Sequence, residues 1–230
     1  MKTLAIVPAR GGSKGVLNKN RKILSGKPLI QYTLEAAIES KRLSSIIVSS
    51  DEDAILEIAS AYQLRCHKRR PDLASDTSPV IDTILDILQT EGDELDAVMI
   101  LQPTSPLRTS KNIDETIELL EGNPIVNSVI SVVPMNDIHP ARMYKLNNNE
   151  LHSFLPEFEQ VRRQDIPVAY YRNGAIYLTR TDALLANKSM MNKPIKPYVM
   201  DPDWLLNIDG QRDIFLAEAL IPHWLISDKK

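Results

Sequence analysis

Short apolar, β-branched runs alternate along most of this chain with stretches whose apolar residues recur at three- and four-residue spacing. The first kind reads as buried strands at 3–7, 46–49, 97–101, 128–133 and 175–178. The second reads as amphipathic helices. One covers 29–39, where Ile30, Leu34, Ala37 and Ile38 share a face behind Pro28 at the entry. Another covers 52–62, with Ser50 and Asp53 spaced as a capping box. Three more fall near 80–89, 112–120 and 212–220, the last expected to stop around Pro222. Such alternation predicts a layered α/β fold. From 134 to 167 the periodicity weakens and Asn, Glu, Arg and Pro accumulate. That stretch is either a long surface excursion or an arm for dimer contact or substrate closure.

Composition adds limits. The 230 residues, 43% hydrophobic and 25% charged, suit one α/β domain, 1–230, with a substantial core. One cysteine, Cys66, allows no internal disulfide framework; it suits a reducing compartment and reads as a small buried residue. No apolar run approaches the ~20 residues that span a bilayer, and the first is shorter than the ~7–15 of a signal-peptide core. The expectation is a cytoplasmic protein. A net charge of −3 argues against nucleic acid or membrane as partners. The distribution says more: no acidic residue precedes Glu35, yet Lys2, Arg10, Lys14, Lys19, Arg21, Lys22 and Lys27 do. Arg65, Lys68, Arg69 and Arg70 form a second basic group. Two basic segments in an acidic protein fit a site for a small polyanion, or a solvated basic face.

The first strand runs into Ala9-Arg10-Gly11-Gly12-Ser13-Lys14-Gly15. Gly11 and Gly12 let the backbone turn sharply and bring amide N–H groups close to a phosphate. Lys14 supplies an ammonium, Arg10 a fork for phosphate oxygens, and Lys19-Asn20 lies at loop-closing distance. Neither a Walker A loop nor Gly-x-Gly-x-x-Gly is present. A plain turn is the alternative. Leu101-Gln102-Pro103-Thr104-Ser105-Pro106 ends the expected central strand, where ligands of open α/β sheets lie. Gln102, Thr104 and Ser105 offer the donors and acceptors that a polyhydroxylated sugar needs.

Taken in order, residues 6–15, Lys19-Asn20, 26–30, Ile47-Val48-Ser49-Ser50-Asp51, Arg70-Pro71 with 73–77, 101–108 and Asn173-Gly174-Ala175-Ile176-Tyr177 resemble the acylneuraminate cytidylyltransferases over almost the whole chain. The Gly-Gly-Ser-Lys-Gly loop resembles these more than the KDO cytidylyltransferases. The resemblance implies a three-layer, Rossmann-like fold of the nucleotide-diphospho-sugar transferase type, with a mainly parallel mixed sheet. It implies a homodimer whose arm, 134–167, reaches towards the partner. It implies transfer of the cytidylyl group of CTP to an acidic nine-carbon 2-keto sugar, with Mg²⁺ or another divalent cation.

By the same resemblance Arg10, Ser13, Lys14, Lys19 and Asn20 cradle the triphosphate, with Arg10, Lys14 and Lys19 catalytic, and Arg70 holds the base or its neighbourhood. Fixed cations stabilise the charge that gathers on departing pyrophosphate. Gln102, Thr104 and Ser105 hold the sugar, Arg163 its carboxylate, and Asn173 shapes the pocket wall. Arg108 either binds sugar or flanks the next helix. Where the family carries Asp-x-Asp, this chain reads Asn207-Ile208-Asp209, which leaves Asp209 as the metal ligand. The alternatives are the same chemistry on a legionaminic, pseudaminic or KDO-type sugar, a non-catalytic nucleotide-binding module, and a glycosyltransferase.

Overall fold

The computed structural model describes residues 1–12, 15–75, 77–91, 94–135 and 138–227. In chain order the elements are β1 (Thr3–Pro8), β2 (Ile23–Leu24), β3 (Lys27–Pro28), α1 (Leu29–Ile38), β4 (Ser45–Ser50), α2 (Asp53–Ala61), β5 (Arg65–Lys68), α3 (Val80–Thr90) and β6 (Ala97–Leu101). There follow α4 (Ser110–Glu121), β7 (Ser128–Met135), β8 (Tyr144–Asn147), β9 (Glu150–Ser153), β10 (Ala169–Arg180), α5 (Thr181–Asn187), β11 (Ile195–Val199) and α6 (Gln211–Ser227). Seven strands form one sheet in the order β11-β7-β10-β6-β1-β4-β5. Only β10 runs antiparallel to its neighbours, β6 and β7, so the sheet is mainly parallel and mixed.

The two-residue alternation of β1 explains the layers. Ala5 and Val7 point to one face, where they join Ile30 and Leu34 of α1, Ile55 of α2 and Ile113 and Ile117 of α4. Leu4 and Ile6 point to the other, against Ile84 and Ile87 of α3 and Leu184 of α5. Helices thus cover both faces of a largely parallel sheet, as strands buried on both sides require. A third cluster joins Val16 and Leu24 to α6 through Ile214, Ala217, Ile221 and Trp224. Among the described residues no helix is long and apolar enough to cross a membrane.

Three local expectations are corrected. No side chain caps α2: its N-cap residue is Glu52, and Ser50 Oγ instead accepts from the Glu52 N–H at 3.0 Å. The capping box lies at α4, where Thr109 and Asn112 bond reciprocally. Helix α6 continues past Pro222 because Trp224 still packs in the core, its ring meeting Tyr32 edge-on at 6.5 Å. That packing outweighs the hydrogen bond a proline removes. Cys66 is exposed, because β5 is the sheet's edge strand. The 134–167 stretch carries the β8–β9 hairpin, with Leu146 opposite Leu151.

Candidate functional site

Strands β1, β4, β5 and β6 deliver their carboxyl ends to one side of the sheet, and a cleft of about 410 Å³ opens there. Its walls include Arg10, Lys19 and Asn20 from the glycine loop, Gln102 and Thr104 from the loop after β6, and Asn207 and Asp209 from the segment before α6. Hydrogen bonds tie these three segments together. Asn20 Nδ2 donates to Arg10 O at 3.0 Å, and Arg10 Nη1 to Ser75 O at 3.1 Å. Lys19 Nζ donates to Ile208 O at 2.7 Å and lies 3.1 Å from Asp209 Oδ1. Ile208 N donates to Thr104 O at 2.8 Å. Gly11 N–H donates to Asp51 Oδ1 at 2.9 Å, which fixes the turn after β1. Ser13 and Lys14 lie outside the described residues.

Gly15 shows how closely the loop and the acidic segment meet. A Cβ there would sit 1.9 Å from Asp209 O, less than any real contact. Gly174, at φ +78°, performs a similar service: a Cβ on it would lie 2.9 Å from Gln102 Oε1. It belongs to a register break in β10 between Arg172 and Tyr177. Asn173 is buried in that break, its Oδ1 accepting from Ser131 Oγ at 2.6 Å and its carbonyl from Ser105 Oγ at 3.1 Å. Ser105 and Asn173 therefore brace the Gln102 wall from behind and do not line the cleft.

Two expected arginines lie elsewhere. Arg70 points out of the cleft, to Asp72 at 3.3 Å and Asp86 at 3.2 Å. Its neighbour Arg69 takes the cleft wall, buried, with Nε on Ser49 Oγ at 3.2 Å and Nη2 on Ser49 O at 3.1 Å. Consecutive residues of an extended chain face opposite ways, so a shift of one residue exchanges inside for outside. Burial holds the Arg69 guanidinium below its ordinary pKa, the Arg10 charge adds to that, and Asp51 opposes it. Arg163 lines a separate hollow of about 320 Å³ on the arm, with His139 and Arg142.

Arg108 lies behind the Gln102 loop, with no exposed surface. Its guanidinium donates to Ala175 O, Thr33 Oγ1 and Gln102 O, all neutral oxygens, and burial pulls its pKa down to about 9. Of the two expected places it takes the second: it stands directly before Thr109, the N-cap of α4, where it pins the Gln102 loop to β10 and α1.

Asp209 presents an exposed carboxylate at the cleft, with Asn207 on the same face and Asn207 Nδ2 on Asp209 Oδ2 at 2.5 Å. Asp213 accepts the N–H groups of Asp209 at 2.9 Å and Gly210 at 2.8 Å, bonds that depress its own pKa. Among the described residues no three His, Cys, Asp or Glu side chains gather as a metal cluster. Asn207 turns its amide nitrogen to Asp209 and its amide oxygen to Ser105 Oγ at 3.4 Å, so Asp209 is the charged oxygen donor here. A single carboxylate fits a cation that keeps most of its waters and takes phosphate oxygens, the habit of Mg²⁺.

Residues 4–214 match the family model described as cytidylyltransferase. The chain belongs to the cytidylyltransferase family. This cytidylyltransferase is 35% identical, over 228 residues, to the CMP-N,N'-diacetyllegionaminic acid synthase of Legionella pneumophila, covering 96% of this chain and 97% of that protein. It is 34% identical over 218 residues to the N-acylneuraminate cytidylyltransferase of Escherichia coli, where 94% of this chain spans only 51% of the relative. The fold is shared with a solved CMP:2-keto-3-deoxy-manno-octonic acid synthetase complexed with CTP, at a TM-score of 0.73 and 16% identity, covering 97% and 99% of the two chains. Membership establishes a nucleotidyltransferase enzyme.

Proposed function

We propose that the enzyme joins the cytidylyl group of CTP to the anomeric hydroxyl of an acidic nine-carbon 2-keto sugar and releases pyrophosphate. The observation that carries this reading is the convergence, in one cleft, of Arg10, Lys19 and Asn20 with Gln102 and Thr104 across the Asn207–Asp209 segment. Both long-range relatives act, by name, on nonulosonic acids: a diacetyllegionaminic acid and an N-acylneuraminate. The first matches 96% of this chain with 97% of its own length, which favours sugars of that group over KDO.

In this reading Arg10 and Lys19 hold the triphosphate, Asn20 keeps Arg10 in place through its carbonyl, and Ser13 and Lys14 complete the loop. Gln102 and Thr104 hold the sugar hydroxyls opposite, so the anomeric oxygen faces the α-phosphorus in line with the leaving pyrophosphate. The oxygen–phosphorus bond forms as the bond to pyrophosphate breaks, and the loop cations take up the charge gathering on the leaving group. Asp209, helped by Asn207, would hold Mg²⁺, which when bound neutralises phosphate charge and aligns the chain of phosphates. Arg69, in place of Arg70, belongs on the nucleotide side. Arg163 reaches a sugar carboxylate only from a partner's arm, so the reading includes a cytoplasmic homodimer. Its support is the arm's apolar exposure: Leu146, Leu151 and Ile138 are each more than 60% exposed.

The test is pyrophosphate release from CTP with Mg²⁺ across N-acetylneuraminic, legionaminic, pseudaminic and KDO-type sugars, with UTP and metal-free controls. Release with a nine-carbon acid and CTP is expected. Tight CTP binding without release, whatever sugar is offered, would establish a non-catalytic nucleotide-binding module instead.

A further inference from the structure

The reaction as derived does not use His67, yet His67 occupies the middle of a continuous hydrogen-bonded line that ends at the cleft. Ser49 and His67 are register partners in the parallel strands β4 and β5. Their side chains meet, with Ser49 Oγ 3.0 Å from His67 Nδ1. On the other side of the ring, Nε2 lies 3.0 Å from Asp86 Oδ2 on α3. Asp86 is held in turn by Arg70, 3.2 Å from its second oxygen. At the cleft end, Ser49 receives Arg69 twice, on Oγ and on its carbonyl. Ser49 has no exposed surface, Arg69 is 6% exposed, and the side chains of His67 and Asp86 are 17% exposed.

The line has one consistent direction. Arg69 Nε can only donate, so Ser49 Oγ accepts from it. A buried hydroxyl proton needs a partner, and His67 Nδ1 is the acceptor within reach. Nδ1 is then unprotonated, and the ring proton sits on Nε2 and points at the Asp86 carboxylate. Every donor and acceptor is used once, from Arg69 through Ser49 and His67 to Asp86. Ser49 is too buried to act as a nucleophile, so the resemblance to a hydrolytic triad ends at its composition.

We propose that Ser49, His67 and Asp86 are positioning residues for Arg69, fixing the direction its guanidinium takes into the nucleotide side of the cleft. This rests on the reading of the cleft as a CTP site. Arg70 acquires a role too: it closes the far end of the line by pairing Asp86. A long arginine held only by its own rotamers would lose orientation entropy on meeting CTP; held by this line, it has already lost it.

The test is a double-mutant cycle on CTP binding, measured by titration calorimetry with the full chain, CTP and Mg²⁺. Arg69→Ala and His67→Leu are each expected to weaken CTP binding about tenfold, the size of a lost hydrogen bond to a charged group. The double variant should bind no more weakly than Arg69→Ala alone, because His67 acts only through Arg69. His67→Asn, whose side-chain oxygen can accept from Ser49 as Nδ1 does, should recover most of the affinity. In turnover, His67→Leu should raise the KM for CTP while kcat stays within about twofold. Additive losses in the cycle, or wild-type CTP affinity in His67→Leu, would overturn the relay. Should His67→Leu fail to fold, Ser49→Ala removes the same link with a smaller change in volume and is expected to weaken CTP binding in the same way. If the wild-type chain binds no CTP, the parent reading falls and the relay with it; if the wild type binds and His67→Leu or Ser49→Ala matches it, the relay alone falls.

Discussion

The cleft and the 134–167 arm were both singled out by residue pattern, and they are built on opposite principles. In the cleft many polar groups are committed to one another: Lys19 to Asp209 and Ile208, Asn20 to Arg10, Ile208 to Thr104, Arg69 to Ser49. On the arm, large apolar side chains stand in solvent, with Leu146 67% and Leu151 68% exposed on facing strands of one hairpin. A site that binds a small polyanion must be organised before the ligand arrives, since each group that has to be ordered on binding costs affinity. An exposed apolar hairpin instead gains its stability from whatever covers it. The contrast teaches that the described polar groups of the cleft are organised by one another, whereas the arm leaves apolar surface uncovered.

The sharpest way to break that contrast is Gly15→Ala. Its new methyl group would occupy the space of Asp209 O, so the glycine loop and the Asn207–Asp209 segment must separate. Turnover should fall by at least about 100-fold, roughly 2.7 kcal/mol of transition-state stabilisation. Pyrophosphate release measures it, and a rate near wild type would mean the two segments need not touch. Next in size is the arm. Leu146→Asp with Leu151→Asp should leave the fold intact, with an unchanged circular dichroism spectrum. It should weaken self-association by at least about thirtyfold, the scale of an interface hot spot. Sedimentation at several concentrations reads this, and an unchanged oligomeric state would show that the hairpin faces no second copy.

The smallest effect belongs to Asp213. The N–H groups of Asp209 and Gly210 depress its pKa in the folded chain. Its contribution to stability is therefore present above the ordinary aspartate pKa and lost as the pH falls through the depressed value. Asp213→Asn should cost less than about 1 kcal/mol near neutrality, and the gap should close in acid. Thermal melts from neutral to acidic pH measure it; a gap independent of pH would separate the carboxylate charge from the stability it is assigned.

The sheet was legible because β1 and β6 carry continuous apolar runs, and β4 and β7 shorter ones of β-branched residues between serines, which leave little choice of environment. The glycine loop and the Gln102 loop were legible because their residue types are unusual in combination. What escaped depends on direction. Nothing in the string Arg69-Arg70 says which side chain turns inward; the course of β5 decides it. Ser105 and Asn173 have the chemistry of sugar ligands, yet the break in β10 spends them on bracing. Pro222 carries the signature of a helix end, overridden by packing two residues later. His67 sits in a short, exposed edge strand that no periodicity marks, and its partners Ser49 and Asp86 come from 18 and 19 residues away.

Strand β10 has a mechanical consequence. It leaves the arm at Ala169 and, without interruption, becomes the wall behind Gln102 before ending at Arg180. A strand laddered on both sides cannot creep along its axis by small amounts, because a one-residue slip turns every side chain to the wrong face. A tug on the arm must therefore either travel to Gln102 as a rigid pull or be absorbed where the ladder is already broken, at Asn173 and Gly174. Asn173 and Gly174 thus stand between the arm and the Gln102 wall, where hydrogen bonds to Ser131 and Ser105 take over from the interrupted ladder.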